Sequence, residues 1–183
     1  MVSDRKAEIV MTVFRPSWQH IQSACLIAFN LVVWVVVGWA AAIAIFDFPY
    51  RVGVDGQKAR CLPWSVFLID RTVPASIHVG DLIQFQGGAL GYGFDGLLFV
   101  KQVGAVAGDV VEVRSDDLWI NGKQYDHLWL MGTLKKRASE FDRKYVVKAG
   151  EYLMLGTSRD SFDGRYWGPI QQGQIVGSAT PIY

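Results

Sequence analysis

The feature that most constrains this chain is one long apolar run near its N-terminus. Residues 24–46 read ACLIAFNLVVWVVVGWAAAIAIF, with no charged side chain and a single polar amide, Asn30. A helix needs about 20 such residues to cross the hydrocarbon core of a bilayer. We therefore expect a transmembrane anchor over residues 21–48, preceded by a short tail over residues 1–20.

Two points about this run stay open at the level of sequence. A cleaved signal peptide is the alternative to an anchor, since the alanines at 40–42 offer small residues for cleavage. The run is longer than a signal peptide's apolar region and continues past those alanines, which favours permanent anchoring. Lysines and arginines lie on both sides of the run, so their count does not orient it; they are Arg5, Lys6 and Arg15 before it, and Arg51, Lys58 and Arg60 after it.

The remaining residues, 49–183, have the length of one domain. Hydrophobic residues make up 51 % of the chain and charged residues 19 %, which is too apolar for a disordered protein. The net charge is +1, from 18 basic and 17 acidic side chains, and no basic run is interleaved with aromatic residues. We therefore expect no nucleic-acid partner.

Short β-like runs broken by Gly, Pro and Asp follow the anchor. Asn121-Gly122 lies between two of these runs and is a strong signal for a tight hairpin turn. No long amphipathic helix is evident after the anchor, so the expected class is a mainly β domain with antiparallel sheet. The predicted strands are 66–69, 81–85, 97–106, 110–113, 118–120, 123–125, 145–148, 152–155 and 175–183.

The two cysteines of the chain fall in different environments. Cys25 lies inside the apolar run and Cys61 lies after it among polar residues, so we expect them not to pair. An unpaired cysteine in an oxidising compartment is a candidate reactive thiol. The three histidines lack the spacing of metal ligands, and we expect no metal and no cofactor; they are His20, His78 and His127.

Lys101 is the most informative polar residue of the domain. It interrupts the apolar residues 97–107 (LLFVKQVGAVA), so we expect a dry environment around its amine. Loss of hydration lowers the pKa of a lysine from its reference of about 10.4, and a lysine that is neutral near physiological pH can act as a general base. The alternative is a side chain whose stem packs while its ammonium reaches water.

Three segments follow one another in a specific order. Residues 61–67 (CLPWSVF) begin what we expect to be the first strand, residues 101–109 (KQVGAVAGD) contain the lysine, and residues 156–168 (GTSRDSFDGRYWG) are dense in polar and aromatic side chains. Together they resemble the signal peptidase I family, membrane-bound serine/lysine peptidases that remove leader peptides. The first segment is similar to Ser-x-Pro-x-Gly-x-Tyr of the conjugative-transfer branch, which processes pilin precursors.

The other two segments resemble the family motifs Lys-Arg-Val-x-Gly-x-x-Gly-Asp and Gly-Asp-Asn-Arg-Asp-Asn-Ser-x-Asp-Ser-Arg-Tyr-Trp-Gly. The resemblance implies that Cys61 is the nucleophile, in place of serine, and that Lys101 is the general base. It implies that Ser161 orients the lysine and that Asp163 and Arg165 support the site. It also implies an acyl-enzyme peptidase in the bacterial inner membrane, with residues 49–183 on the periplasmic side.

The sequence departs from the family pattern at several positions. Ala59 stands where many relatives have a serine whose hydroxyl helps to bind the oxyanion, and Ser65 and Phe67 replace the Gly and Tyr of the conjugative branch. The last motif is one residue shorter between Asp160 and Ser161. These differences concern the oxyanion and the substrate groove more than the fold.

Alternatives to the Cys61–Lys101 pair remain open. Ser65 could be the nucleophile, or Cys61 could work with His78 or His127. The whole domain could also be a non-catalytic, peptidase-like component of a secretion or conjugation apparatus. In the catalytic interpretation the partners are a precursor protein or pilin and the lipid bilayer, and the product is linear or, through a thioester, cyclic.

Overall fold

A computed structural model of the chain describes residues 18–46 and 48–183. The chain divides after Phe48 into an N-terminal unit and a unit spanning Pro49–Tyr183. In the N-terminal unit the described residues form one helix, α1 (Trp18–Phe46). Of the predicted tail, residues 1–17 lie outside the described residues.

Helix α1 has the length and composition of a membrane-spanning helix. The stretch Ile21–Ile45 is 25 residues long with a mean hydropathy of 2.3. At about 1.5 Å per residue it reaches about 37 Å, which exceeds the hydrocarbon thickness of about 30 Å. The amide of Asn30 donates to the carbonyl of Leu26 at 2.8 Å, so this polar group is satisfied within its own helix.

The second unit is mainly β, as expected. All strand pairs of the described residues are antiparallel. The strands are β1 (Tyr50–Val54), β2 (Val66–Asp70), β3 (Leu82–Gln86), β4 (Leu98–Ala105), β5 (Val110–Arg114), β6 (Asp117–Ile120), β7 (Lys123–His127), β8 (Arg143–Val146), β9 (Glu151–Leu155), β10 (Pro169–Gln171) and β11 (Ile175–Pro181). Two short helices, α2 (Met131–Leu134) and α3 (Gly164–Trp167), interrupt them.

These strands form two sheets. The larger has the order β1-β2-β11-β3-β4-β9-β10 and the smaller has the order β7-β6-β5-β8. The predicted hairpin joins β6 to β7, with Asn121 and Gly122 at φ of 52° and 78°. Two successive positive φ angles are what a two-residue turn needs to match the twist of its strands, and Asn-Gly adopts them at low cost.

One hydrophobic core connects the two sheets. Val111, Val113 and Leu118 of the smaller sheet pack in the same cluster as Leu153 of β9 and Tyr166 of α3. All five side chains are at most 2 % exposed. Helix α3 and the segment before it are therefore packed against both sheets.

The segment that contains Cys61 differs from the prediction. The first strand is β1, which precedes it, and Cys61 lies in the loop between β1 and β2 rather than at the start of a strand. Pro63 has no N–H to donate to a strand ladder. The carbonyl of Cys61 instead accepts from the N–H groups of Thr157 and Ser158, in the last motif, at 2.8 and 3.3 Å.

Candidate active site

Lys101 lies on β4 in the middle of the larger sheet, paired with Ile83 of β3. Its side chain is 1 % exposed, so the expected dry environment is confirmed and the alternative of an ammonium reaching water is wrong. The Nζ of Lys101 donates to the Oγ of Ser161 at 2.8 Å. Ser161 is itself fully buried, so the lysine amine has a fixed hydrogen-bond partner.

Cys61 and Lys101 line the same cavity. It has a volume of about 390 Å³ and is also lined by Gly53 and Val54 of β1 and by Val100 of β4. Cys61 is half-buried and forms no disulfide. The cavity therefore combines a thiol, an amine, an edge strand and a central strand of one sheet.

The last motif is held together by the carboxylate of Asp163. This side chain is fully buried and accepts from the backbone N–H groups of Gly156, at 2.8 Å, and Arg165, at 3.1 Å. It also accepts from Nε and Nη2 of Arg165, at 2.9 and 2.7 Å. Asp163 also caps the N-terminus of α3. Its carboxylate therefore connects Gly156 to the start of α3, and Ser161 lies in the segment between them.

Arg165 is the largest fully buried side chain of the described residues. Burial lowers the pKa of Arg165, whereas its hydrogen bonds to Asp163 and the charges of Asp163 and Asp126 raise it, and the net shift is upward. Its Nη2 also donates to the carbonyl of Ser161 at 3.4 Å. The guanidinium therefore remains charged and contacts both the carboxylate and the backbone of the serine segment.

Gly156 lets the cysteine loop and the last motif approach each other. A Cβ at this position would lie 2.6 Å from the Cβ of Ser161 and 2.7 Å from the carbonyl oxygen of Cys61. Both distances are far shorter than van der Waals contact. The glycine at the start of the last motif is thus a requirement for placing Cys61 beside Ser161.

Comparison with known proteins decides the family. The family model for signal peptidase, peptidase S26, matches residues 23–183, which is most of the chain. The chain belongs to the signal peptidase S26 family. This confirms the resemblance at the level of the family.

Two curated signal peptidases are similar to part of the chain. Signal peptidase IB of Staphylococcus aureus (strain Mu50 / ATCC 700699) is 34 % identical over 97 residues, covering 45 % of this chain and 51 % of the relative. Signal peptidase I V of Bacillus subtilis (strain 168) is 31 % identical over 113 residues, covering 56 % and 64 %. The chain thus spans about half to two thirds of the length of these relatives.

A crystal structure of a signal peptidase I from Enterococcus faecalis V583 is also similar. The match has 24 % sequence identity and a TM-score of 0.39, and it covers 60 % of this chain and all of the other.

The residues considered from the sequence as alternatives to the Cys61–Lys101 pair lie outside the cavity of that pair. Ser65 is 9 % exposed and its hydroxyl donates to the carbonyl of Tyr183 at 3.3 Å. His78 is exposed beside Asp81, and His127 pairs with Asp117 at 2.9 Å. Among the residues that the structure describes, neither histidine nor Ser65 lines the cavity of Cys61 and Lys101.

Two contributors to the site were missed from the sequence. Strand β1 forms a wall of the cavity, but its pattern YRVGV, with side chains mostly exposed, gives a weak strand signal. The second missed contributor is Asp126, whose carboxylate accepts a hydrogen bond from Nη1 of Arg165 at 2.6 Å. Asp126 is 39 positions before Arg165 and outside all three motifs, so no local pattern could have indicated this contact.

Proposed function

We propose that this chain is a membrane-anchored endopeptidase that removes leader peptides from exported precursor proteins, with Cys61 as nucleophile and Lys101 as general base. One observation carries the proposal. A lysine buried in a β-sheet donates to a buried serine hydroxyl, and it lines the same cavity as a free thiol. A nucleophile is activated when a base lies beside it and a third group orients that base.

The reaction proceeds through a thioester. Lys101 accepts the proton of the Cys61 thiol, and the sulfur attacks the carbonyl carbon of the scissile peptide bond. The C–N bond then breaks as the ammonium of Lys101 gives its proton to the departing amine. Water, deprotonated by Lys101, next attacks the thioester and releases the carboxylate and the thiol.

Ala59 affects the stabilisation of the oxyanion in both steps. It has no hydroxyl to donate, and loss of one such donor typically lowers the rate by about 10²–10³. In this proposal the oxyanion is bound by backbone N–H groups of the loop that carries Cys61. The more reactive sulfur nucleophile partly compensates for the missing donor.

The precursor binds as an extended segment with small residues next to the cleaved bond. Strand β1 is at the edge of the larger sheet and contributes Gly53 and Val54 to the cavity. An exposed sheet edge can accept a further strand through backbone hydrogen bonds. Val100 and Phe99 of β4 also line the cavity and limit the size of the side chains that it accepts.

The proposal also includes a membrane arrangement, for which α1 is the support. In this proposal residues 1–20 are a cytoplasmic tail, residues 21–48 cross the bacterial inner membrane once, and residues 49–183 are the catalytic domain on the periplasmic side. The apolar stretch Ile21–Ile45 supports the anchor. The orientation is the one in which exported precursors reach the catalytic domain.

We further propose that the substrates include pilin precursors of conjugative transfer. The support is the Cys61-Leu62-Pro63 segment, which resembles the nucleophile motif of that branch. A thioester reacts more readily with amines than an oxygen ester does. Ring closure requires cleavage of a peptide bond near the C-terminus of the pilin, so that the pilin itself is the acyl group on Cys61 and the C-terminal fragment leaves as the amine. The N-terminal amine of the pilin then replaces water in attacking the thioester, which releases the Cys61 thiol and joins the two ends of the pilin into a ring.

The acceptor can be identified by mass spectrometry of the purified product. Attack by water gives a linear product, and attack by the N-terminal amine gives a product that is one water lighter and has no free N-terminus. Cys61→Ser is the matched comparison, since its oxygen ester favours water. We expect a larger cyclic fraction with the thiol; a linear product alone with both nucleophiles would exclude cyclisation.

Replacing the proposed nucleophile tests the peptidase itself. In cells that lack the wild-type copy, Cys61→Ala is expected to leave the precursor uncleaved because no acyl-enzyme can form. Cys25→Ala is the matched control, since it removes the other thiol, which lies in α1, and should process normally. Normal processing by Cys61→Ala would instead support a non-catalytic, peptidase-like component of a secretion apparatus.

A further inference from the structure

The buried Arg165 has a second carboxylate partner that comes from the other sheet. Its Nη1 donates to Oδ2 of Asp126, at 2.6 Å, and to the carbonyl of His127, at 3.1 Å. The side chain of Arg165 is 1 % exposed and that of Asp126 is 31 % exposed. Strand β7 of the four-stranded sheet therefore contacts the last motif through two charge-assisted hydrogen bonds from Arg165.

A β-bulge directs Asp126 towards that motif. Trp119 of β6 pairs with Gln124 and Leu118 pairs with Asp126, which leaves Tyr125 as an extra residue on β7. Without the extra residue, Tyr125 would stand opposite Leu118 and Asp126 would point to the other face. Leu118 is fully buried, so the bulge places Asp126 on the face of the sheet that packs against the core.

Arg143 of the same sheet and Leu130, in the segment after β7, contact the motif at two other points. We call residues 163–167 the Asp163 turn. Arg143 of β8 donates to three backbone carbonyls of this turn, those of Gly164, Arg165 and Tyr166, at 2.8–3.1 Å. The backbone N–H of Leu130 donates to the hydroxyl of Tyr166 at 3.0 Å.

From Asp126 a continuous series of contacts leads to the lysine. Asp126 binds Arg165, and Arg165 binds both the carboxylate of Asp163 and the carbonyl of Ser161. The hydroxyl of Ser161 then accepts from Lys101. Each link is a hydrogen bond of 3.4 Å or less, and all side chains after Asp126 are buried. A shift of Arg165 would therefore move the acceptor of the lysine amine.

We propose that Asp126 is a positioning residue, through which the four-stranded sheet sets the place of the Lys101 amine against the thiol of Cys61. The proposal rests on the proposed function, in which Lys101 is the base. Asp126 touches neither residue of that pair and acts through Arg165 and Ser161. Asp126 is then the residue through which the smaller sheet contributes to placing the base.

A positioning role and a purely stabilising role predict different results. When Asp126 is changed, the guanidinium of Arg165 still forms its ion pair with the buried carboxylate of Asp163, so no buried charge is left unpaired. Asp126 is partly exposed, and ion pairs with an exposed partner contribute little to stability. Asp126→Asn should therefore leave the fold intact while removing the charge that holds one end of the guanidinium.

The experiment uses the full-length chain in detergent with Cys25→Ala as background, so that Cys61 is the remaining thiol. Two readouts are kcat and KM for a precursor peptide, and the rate at which iodoacetamide alkylates Cys61 at neutral pH. The alkylation rate reports activation of the thiol by Lys101 without any substrate. Glu112→Gln is the matched control, because Glu112 is a partly exposed carboxylate of the same sheet that pairs with Lys144.

We expect Asp126→Asn to lower kcat and the alkylation rate by about ten-fold or more, with KM unchanged, because small displacements of a base are costly. Asp126→Glu should recover most of both rates, and Glu112→Gln should match the background. The positioning role would be overturned if Asp126→Asn had the same two rates as Glu112→Gln. It would also be overturned if both rates fell only in proportion to the fraction of protein that is unfolded.

The outcome also separates this role from the proposed function. If Lys101→Met lowers the alkylation rate and Asp126→Asn does not, the dyad stands and the role of Asp126 is wrong. If Lys101→Met leaves the alkylation rate unchanged, the dyad itself is wrong, and the role of Asp126 is overturned with it.

Discussion

Lys101→Met is expected to lower kcat for precursor cleavage by a factor of about 10²–10⁴, the usual contribution of a positioned general base. The same change should alter the free energy of unfolding by less than about 2 kcal/mol, because the gain from removing a buried amine is offset by the loss of the donor to the buried hydroxyl of Ser161. Met has nearly the length of Lys, and at a site that is 1 % exposed it removes a polar group from an apolar sheet. Cleavage of a precursor peptide and the urea midpoint of unfolding, both measured on the full-length chain, test this prediction.

Lys123→Met provides the control for this substitution. Lys123 is an exposed lysine of β7, and its replacement changes the net charge by the same amount. Cleavage by this variant should equal that of the wild type. A Lys101→Met enzyme that keeps more than about a tenth of the wild-type rate would contradict the role of Lys101 as the base.

Asp163→Ala is expected to destabilise the second unit by about 3–5 kcal/mol, the typical cost of removing one partner of a buried ion pair. The carboxylate accepts four hydrogen bonds, three from Arg165 and one from the backbone of Gly156. Its loss leaves the fully buried guanidinium with Asp126 as its remaining carboxylate partner. Urea unfolding followed by tryptophan fluorescence measures the effect.

The double variant Asp163→Leu with Arg165→Met separates stability from activity. Apolar replacement of both members of a buried pair is often neutral or stabilising, so most of the lost stability should return. The rate of precursor cleavage should stay low, because the hydroxyl of Ser161 is then no longer held in place as the acceptor of the Lys101 amine. A single Asp163→Ala variant that loses less than about 1 kcal/mol would show that the pair contributes little to the fold.

The strands of the domain were largely predictable because their signals are local. Alternating or continuous apolar runs predicted nine strands, and the Asn121-Gly122 turn was predicted from the backbone preferences of its two residues. Strand β1 and strand β10 were missed. β1 is a sheet edge with few buried side chains, and β10 has only three residues and begins with Pro169.

The candidate site was predicted in part, and through motifs rather than physics alone. An isolated lysine in an apolar run is more commonly a side chain that reaches water, and only the pattern around Ser161, Asp163 and Arg165 favoured a base. The position of Cys61 was predicted in the wrong element. Its loop is fixed by hydrogen bonds to the last motif, almost 100 residues later, and a strand pattern does not contain that information.

The apolar run of residues 24–46 and the three ordered motifs were determined by the sequence itself. Helix periodicity, strand alternation and turn preferences act over a few neighbouring residues, so they can be read along the chain. The enclosure of Lys101, its bond to Ser161, the cavity shared with Cys61 and the contact between Asp126 and Arg165 were decided by the tertiary structure. The two hydrogen bonds join residues 60 and 39 positions apart, and the cavity is lined by residues from segments far apart in the sequence. Only the packing of the two sheets around one core brings such residues together.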